Sequence, residues 1–125
     1  MKTFISAKIH GIRITDKALG YNGSVTVCPE LLKASGIEPY EQVQVINVNN
    51  GQRFITYAIK AEEKGYFSLN GGCARLGEVG DKCLVLTYKQ EDKFSGANVV
   101  FCNADNSIKE ETRYETPDFE PVVSC

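Results

Sequence analysis

Apolar and polar residues alternate along most of this chain in short segments. A period of two is typical of β-strands, whose successive side chains point to opposite faces of a sheet. The strands predicted in this way are residues 4–10, continued by 12–14 after Gly11, and then 24–28, 42–48, 53–60, 66–69, 84–88 and 99–102. Segment 84–88 is almost continuously apolar, which predicts burial on both of its faces.

One segment departs from this pattern and predicts a helix. Residues 29–36 begin with Pro29, which suits a first helical turn, and end at Gly36, which suits a helix C-terminus. Residues 49–51 (Asn-Asn-Gly) lie between two alternating segments, where Asn-Gly is a strong hairpin signal. Many short strands, closely spaced turns and one or two short helices predict a mainly β fold, either a small barrel or a sandwich.

Length and composition predict a single globular domain. The 125 residues can bury a core, and the net charge of −2 offers no basic face of the kind that binds nucleic acid. The sequence has no apolar run of the roughly 20 residues that a membrane span needs, and no signal-peptide pattern at its N-terminus, so we expect a cytoplasmic protein. The charged tail from about Lys109, with Pro117 and Pro121, is expected to be loosely ordered, unless its Val-Val-Ser-Cys end docks at a sheet edge.

Cysteine and histidine usage argues against metal and dithiol chemistry. The chain has five widely spaced cysteines and one histidine. Because no two cysteines form a C-x-x-C pair, zinc binding and thioredoxin-type chemistry lack their usual spacing. His10 has no partner at metal-ligand spacing, so no metal site is predicted. We expect reduced and mostly buried thiols.

Polar residues inside predicted strands are the remaining candidates for a functional site. Lys8 and His10 are two residues apart and share one face of a strand. Arg53 and Tyr57 also share one face, while Thr56 points to the other. Arginine can clamp a carboxylate with two hydrogen bonds, and a tyrosine phenol can transfer a proton. By spacing alone, a solvated hairpin face explains these residues as well as a pocket does.

Five motifs stand in an order and at spacings that resemble one enzyme family. They are residues 8–10 (Lys-Ile-His), 21–24 (Tyr-Asn-Gly-Ser), 47–57 (Asn-Val-Asn-Asn-Gly-Gln-Arg-Phe-Ile-Thr-Tyr), 70–72 (Asn-Gly-Gly) and 79–81 (Val-Gly-Asp). The family is aspartate 1-decarboxylase, the pyruvoyl-dependent enzyme that makes β-alanine for pantothenate synthesis, and the similarity covers residues 1–106. The resemblance implies a small double-psi β-barrel that assembles as a homotetramer.

The resemblance also implies that the chain cuts itself at the Gly23–Ser24 bond. The Ser24 hydroxyl would attack the Gly23 carbonyl and give two pieces, residues 1–23 and 24–125, the second beginning with a pyruvoyl cofactor made from Ser24. A glycine at 23 leaves its carbonyl open to attack and tolerates a strained turn. Thr56 matches a threonine that the family ties to this processing. A maturation partner for the cleavage is left open.

Roles for the other site residues follow from the same resemblance. The pyruvoyl carbonyl would form a Schiff base with the substrate amino group and accept the electrons released as CO2 leaves. Arg53 would hold a substrate carboxylate, and Lys8 and His10 would add positive charge. Tyr57 would return the proton to the substrate. The remaining substrate contacts would be Thr56, Asn70, Gly71, Gly72 and Cys73.

Two further expectations concern this last segment and its surroundings. Asn70 would brace the backbone that follows it, and neighbouring subunits would share the pocket, because one small barrel offers little concave surface.

Relatives commonly carry Gly-Ala-Ala where this chain has Gly71, Gly72 and Cys73, so a pocket altered by Cys73 leaves glutamate open as an alternative substrate. The other hypotheses are a non-catalytic β-barrel that binds a small carboxylate and a thiol enzyme that uses Cys73.

Overall fold

The computed structural model describes residues 1–115, which contain nine strands and two short helices. The strands are β1 (Lys2–Arg13), β2 (Asp16–Ala18), β3 (Ser24–Val27), β4 (Gln42–Asn47), β5 (Arg53–Lys60), β6 (Phe67–Asn70), β7 (Lys82–Glu91), β8 (Ala97–Cys102) and β9 (Ile108–Tyr114). The helices are α1 (Pro29–Ser35) and a 3₁₀ helix (Gly71–Leu76). Neither of these two helices is long and apolar enough to cross a membrane.

All nine strands hydrogen-bond into one sheet in the order β2-β6-β3-β5-β4-β7-β1-β8-β9. The pairs β1–β8, β2–β6 and β3–β5 are parallel, and the other pairs are antiparallel. Buried side chains from β1, from β3 through β8 and from α1 meet in one core cluster. A flat sheet could not bring these strands around a common core, so the sheet curves as a small barrel does. The prediction of a mainly β fold, a small β-barrel with one or two short helices, is confirmed.

Strand β1 continues through Gly11 where the sequence predicts an interruption. Gly11 has a φ of +90°, and the register with β7 shifts between His10 and Ile12. This geometry is a β-bulge, and glycine carries the positive φ without a steric penalty. Apart from Ile14, the predicted segments 4–10 and 12–14 therefore lie in one bent strand, which pairs with β7 on one side and β8 on the other.

Helix α1 and the β4–β5 hairpin form where the sequence predicts them. The helix ends at Gly36, whose φ is +79° and whose N–H donates to Leu32 O at 2.9 Å. It lies against β8, where Asn98 Nδ2 donates to Ser35 O at 3.2 Å. In the hairpin turn, Gly51 has a φ of +77°. Local signals therefore determine both elements, because each end is set by residues within one turn of it.

Two strands go unpredicted because their partners, more than their own patterns, determine them. β2 has only three residues and pairs with β6. The expectation of a loosely ordered tail from about Lys109 is wrong for Ile108–Tyr114, which is β9 and pairs with β8. The Arg113 guanidinium fastens β9 by donating to Asn98 Oδ1 at 2.7 Å and to Ser95 O at 2.9 Å. Residues 116–125, with the Val-Val-Ser-Cys end, lie outside the described residues.

The apolar segment 84–88 lies within β7 and is buried less evenly than predicted. Val85, Leu86 and Thr87 are buried, but Tyr88 is 44% exposed. Its hydroxyl donates to Gln44 Oε1 at 2.6 Å, so the phenol stays at the surface while its strand crosses the core.

Candidate active site

Strands β3 and β6 share a polar face that is almost completely buried. Ser24 lies opposite Asn70 in this antiparallel pair, and Thr26 lies opposite Ser68. Ser24 and Ser68 are 1% exposed and Asn70 is 3% exposed. Polar groups are stable at such burial only when they are hydrogen-bonded. The alternate residues of both strands belong to the hydrophobic core: Val25, Val27, Phe67 and Leu69.

Asn70 is the centre of the hydrogen-bond network on this face. Its Nδ2 donates to Ser24 Oγ at 2.9 Å and to Thr26 Oγ1 at 2.8 Å. Its Oδ1 accepts a hydrogen bond from Ser68 Oγ at 2.8 Å. The Ser24 hydroxyl in turn donates to Asn22 O at 3.3 Å. The Ser24 oxygen is therefore held between β6 and the loop that precedes β3.

Gly71 is the glycine that the loop of residues 21–23 requires. Its φ is +64°, and a Cβ there would lie 2.5 Å from Tyr21 O and 2.8 Å from Gly23 N. Gly23 is exposed, has no positive φ, and a Cβ there would meet no heavy atom within 4 Å beyond its chain neighbours. The expectation of a strained turn at Gly23 is therefore wrong. The close-packed glycine with a positive φ is Gly71, where the absence of a side chain lets the backbone of residues 21–23 approach closely.

Strand β5 lies beside β3 and carries the predicted carboxylate clamp and proton donor. The two strands pair in parallel from Ala58 onward, so Thr56 and Tyr57 come just before the paired stretch. Arg53 is exposed, and its guanidinium has no hydrogen bond or ion pair with another residue in 1–115. The Tyr57 ring is half-buried and stacks on Tyr40, with ring centroids 6.2 Å apart.

Gly72 and Cys73, which follow in the 3₁₀ helix, have different surroundings. Gly72 is exposed, and a Cβ there would meet no heavy atom within 4 Å beyond its chain neighbours. Cys73 is half-buried and packs against the core cluster. The open space beside this segment therefore lies over Gly72, and the Cys73 side chain contributes to packing.

The other thiols in the described part of the chain are poorly suited to act as catalytic nucleophiles. Burial raises the pKa of Cys28, and it raises the pKa of Cys83 and of Cys102 to about 12, so these three thiols stay protonated at neutral pH. Within residues 1–115, no group of three or more His, Cys, Asp or Glu side chains could hold a metal ion.

Lys8 and His10 lie in another part of the sheet. In the strand order, β5, β4 and β7 separate β1 from β3. The His10 ring contacts Phe101, with centroids 5.1 Å apart, and borders a cavity of about 340 Å³. Burial, and then the charges of Lys8 and Lys82, lower the pKa of His10 below its usual value. Positive charge near neutral pH therefore comes from the lysines more than from the imidazole.

Comparison with known proteins decides the family. The sequence model described as aspartate decarboxylase matches residues 1–109 of this chain. The chain belongs to the aspartate decarboxylase family. The aspartate 1-decarboxylase of Campylobacter jejuni subsp. jejuni serotype O:23/36 (strain 81-176) is 45% identical to it over 117 residues, which cover 90% of this chain and 93% of the relative. That of Desulfotalea psychrophila is 48% identical over 111 residues (85% and 93%), and that of Thermosipho melanesiensis is 44% identical over 110 residues (85% and 92%).

In this member of the aspartate decarboxylase family, the fold gathers only part of the predicted site. Ser24 and Asn70 are joined by a hydrogen bond, and Gly71 contacts the backbone of the loop that leads to Ser24. Strand β5, with its arginine and tyrosine, is the next strand in the sheet. Lys8 and His10 have no hydrogen bond, ion pair or ring contact with any of these residues in the described chain.

Sequence reasoning missed three residues that contact members of the predicted site, namely Thr26, Ser68 and Tyr40. Thr26 and Ser68 do carry a signal, since each stands two residues from a predicted site residue and must share its strand face. Tyr40 carries none, because its contact with Tyr57 joins a turn to a strand 17 positions later (57 − 40).

Proposed function

We propose that this chain is a pyruvoyl-dependent L-aspartate 1-decarboxylase that produces β-alanine and CO2, with the β-alanine serving pantothenate biosynthesis. The observation that carries the proposal is the buried Ser24 hydroxyl, held by Asn70 Nδ2 and Asn22 O directly after an exposed Gly23. Similarity to proteins named aspartate 1-decarboxylase supports aspartate as the substrate.

Cleavage at Gly23–Ser24 would use the chain's own atoms. The Ser24 oxygen attacks the Gly23 carbonyl carbon, the Ser24 nitrogen leaves with the hydroxyl proton, and an ester replaces the peptide bond. Elimination frees the Gly23 carboxylate and leaves a dehydroalanine at position 24. Water hydrolyses this residue to a pyruvoyl group and ammonia. The oxyanion formed in the first step needs a donor, for which we propose Thr56 on the strand beside β3.

The surroundings of Ser24 suit a small carbonyl group. The Ser24 oxygen leaves with the Gly23 carboxylate, and the ketone oxygen comes from water and replaces the Ser24 nitrogen on the α-carbon. The Asn70 amide, which donates to Ser24 Oγ in the uncut chain, carries N–H groups that can donate to a ketone oxygen. The pyruvoyl group, when present, supplies an electron sink for the bond that breaks as CO2 leaves. Asn70 would thus exchange the Ser24 hydroxyl for the new ketone oxygen as its hydrogen-bond acceptor.

Arg53 and Tyr57 would bind the substrate and return its proton. They lie on one face of β5, and the free guanidinium of Arg53 can clamp the substrate's side-chain carboxylate with two hydrogen bonds. The Tyr57 phenol would protonate the α-carbon after CO2 departs. Backbone N–H groups of Gly71 and Gly72, unobstructed by side chains, would complete the substrate contacts. Cys73 would support this segment by packing.

Lys8 and His10 would reach the substrate from a neighbouring subunit. Their separation from β3 and β5 in the sheet order supports a site shared between copies of the chain. We therefore propose a homotetramer, acting in the cytoplasm, and a maturation partner wherever cleavage of the isolated chain is slow.

Mass spectrometry of the denatured protein, combined with an aspartate assay, tests the proposed function. We expect two pieces, residues 1–23 and 24–125, with the second piece lighter by the loss of ammonia and reactive toward carbonyl reagents. β-Alanine should form from aspartate with a kcat/KM at least about tenfold above that for glutamate, because one extra methylene costs roughly this much.

Each other outcome selects a different hypothesis. An uncut chain that binds small carboxylates without turning them over indicates a non-catalytic barrel. Preference for glutamate overturns the assigned substrate but keeps the mechanism. Turnover by an uncut chain that is lost in Cys73→Ser would indicate a thiol enzyme.

Replacing Thr26 with valine should slow self-cleavage. The change keeps the shape of the side chain but removes the oxygen that accepts from Asn70 Nδ2 at 2.8 Å, which frees the amide to turn away from Ser24. Loss of one such hydrogen bond costs about 1 kcal/mol, so we expect a cleavage rate about fivefold lower, measured by gel densitometry of freshly refolded protein.

Thr26→Ser and Thr87→Val are the matched controls for this prediction. Thr26→Ser restores the acceptor and should restore the rate. Thr87 is 2% exposed and bonds to Ser6 Oγ at 2.8 Å on β1, so Thr87→Val loses a comparable hydrogen bond far from Ser24 and should cleave normally. Equal slowing in both valine variants would mean that stability, and not the position of Asn70, sets the rate.

A further inference from the structure

Tyr40 adopts a backbone conformation that its own side chain disfavours. Residues 38–41 form a tight turn, closed by Glu41 N donating to Glu38 O at 3.0 Å. Pro39 occupies the second position, and Tyr40, with a φ of +72°, occupies the third. This is the pattern of a type II turn, whose third position normally holds glycine or asparagine. A tyrosine there is strained, because its Cβ crowds a neighbouring carbonyl oxygen.

The strained residue is not explained by burial, since Tyr40 is 77% exposed. Its N–H donates to Ala58 O at 2.6 Å, which fixes the turn against β5 one residue after Tyr57. Its ring stacks on the Tyr57 ring, with centroids 6.2 Å apart and planes 26° apart, within the range of offset aromatic pairs. The stack is what a tyrosine provides here and an asparagine would not.

We propose that Tyr40 is a positioning residue for Tyr57. The proposal rests on the proposed function, in which Tyr57 returns the proton to the substrate. A ring stacked on one face of Tyr57 restricts rotation of the phenol and keeps water from that face, so the hydroxyl stays in one place. Strained backbone that its surroundings maintain is typical of sites where a side chain has to be held for function.

Three substitutions of Tyr40 separate the stack from the backbone strain. Tyr40→Phe keeps both, Tyr40→Leu keeps the strain without the ring, and Tyr40→Asn removes the ring and relieves the strain. We expect Tyr40→Phe to retain the parent kcat for aspartate, and both other variants to lose about tenfold in kcat with little change in KM. Tyr40→Asn alone should have a higher melting temperature.

All measurements use protein whose cleavage at Gly23–Ser24 is complete by mass, so that kcat reports on decarboxylation. Tyr88→Leu on β7 is the control, because this partly exposed tyrosine lies on another strand and should keep the parent kcat. If Tyr57→Phe is inactive while Tyr40→Leu and Tyr40→Asn are fully active, the positioning role is wrong and the proposed function stands. If Tyr57→Phe is fully active, the role of Tyr57 itself is wrong. The proposal is also wrong if kcat falls in step with melting temperature across the Tyr40 variants, because stability would then explain the loss of activity.

Discussion

Replacing Ser24 with alanine should leave the protein as one uncut chain of 13.8 kDa and reduce aspartate decarboxylation to background. The hydroxyl is the only part of residue 24 that can attack the Gly23 carbonyl, and without that attack no pyruvoyl group forms. Because the proposed pyruvoyl cofactor would supply most of the rate enhancement, we expect a loss of at least about 10⁴-fold in kcat. Intact mass and β-alanine formation are the two measurements.

The control for this variant has to remove a buried serine hydroxyl elsewhere. Ser24→Ala also leaves Asn70 Nδ2 without one acceptor, which costs about 1–3 kcal/mol of folding free energy. Ser35 is 1% exposed and donates to Leu32 O at 3.2 Å in α1, so Ser35→Ala is a comparable loss away from β3. We expect Ser35→Ala to be cut and active. Full activity in an uncut Ser24→Ala protein would falsify the pyruvoyl mechanism.

Replacing Gly71 with alanine should block or greatly slow self-cleavage. The new Cβ would lie 2.5 Å from Tyr21 O and 2.8 Å from Gly23 N, so the loop that carries the Gly23 carbonyl has to move by several tenths of an ångström or more. The φ of +64° adds a strain of about 1–2 kcal/mol for any residue with a side chain. Displacement of a reacting group on this scale can cost about 100-fold in rate. Cleavage half-time and the urea unfolding midpoint would be measured together.

Two other glycine substitutions separate the effect of crowding from the effects of backbone strain and of position in the sequence. Gly80 has a φ of +95° and open space around its Cα, so Gly80→Ala carries the strain without the clash. Gly72 is adjacent to Gly71 but has no positive φ and no close neighbour, so Gly72→Ala carries neither. We expect Gly80→Ala to lose stability yet cleave normally, and Gly72→Ala to match the parent in both stability and cleavage. Normal cleavage in Gly71→Ala would show that the loop position does not control the reaction.

Local sequence signals determined most of the elements. Alternation predicts β3 and β6, Pro29 and Gly36 delimit α1, and Asn-Gly at 50–51 sets the β4–β5 hairpin. These signals suffice because each depends on contacts within a few residues along the chain. Local signals could not predict β2 and β9. A three-residue strand and a fully exposed strand show no clear alternation of apolar and polar residues, so they form strands because of the strand that pairs with them.

The sequence by itself also predicted which residue types this site uses, through motifs that resemble one family. It did not determine how they meet. Ser24 and Asn70 are 46 positions apart, and only the β3–β6 register places the amide on the serine oxygen. The tertiary structure likewise shows that Gly71, and not Gly23, is the glycine with a positive φ and close backbone neighbours. It also separates Lys8 and His10 from β3 in the strand order. The physical reason is that hydrogen bonds and close approaches between distant segments depend on sheet pairing, which no local pattern encodes.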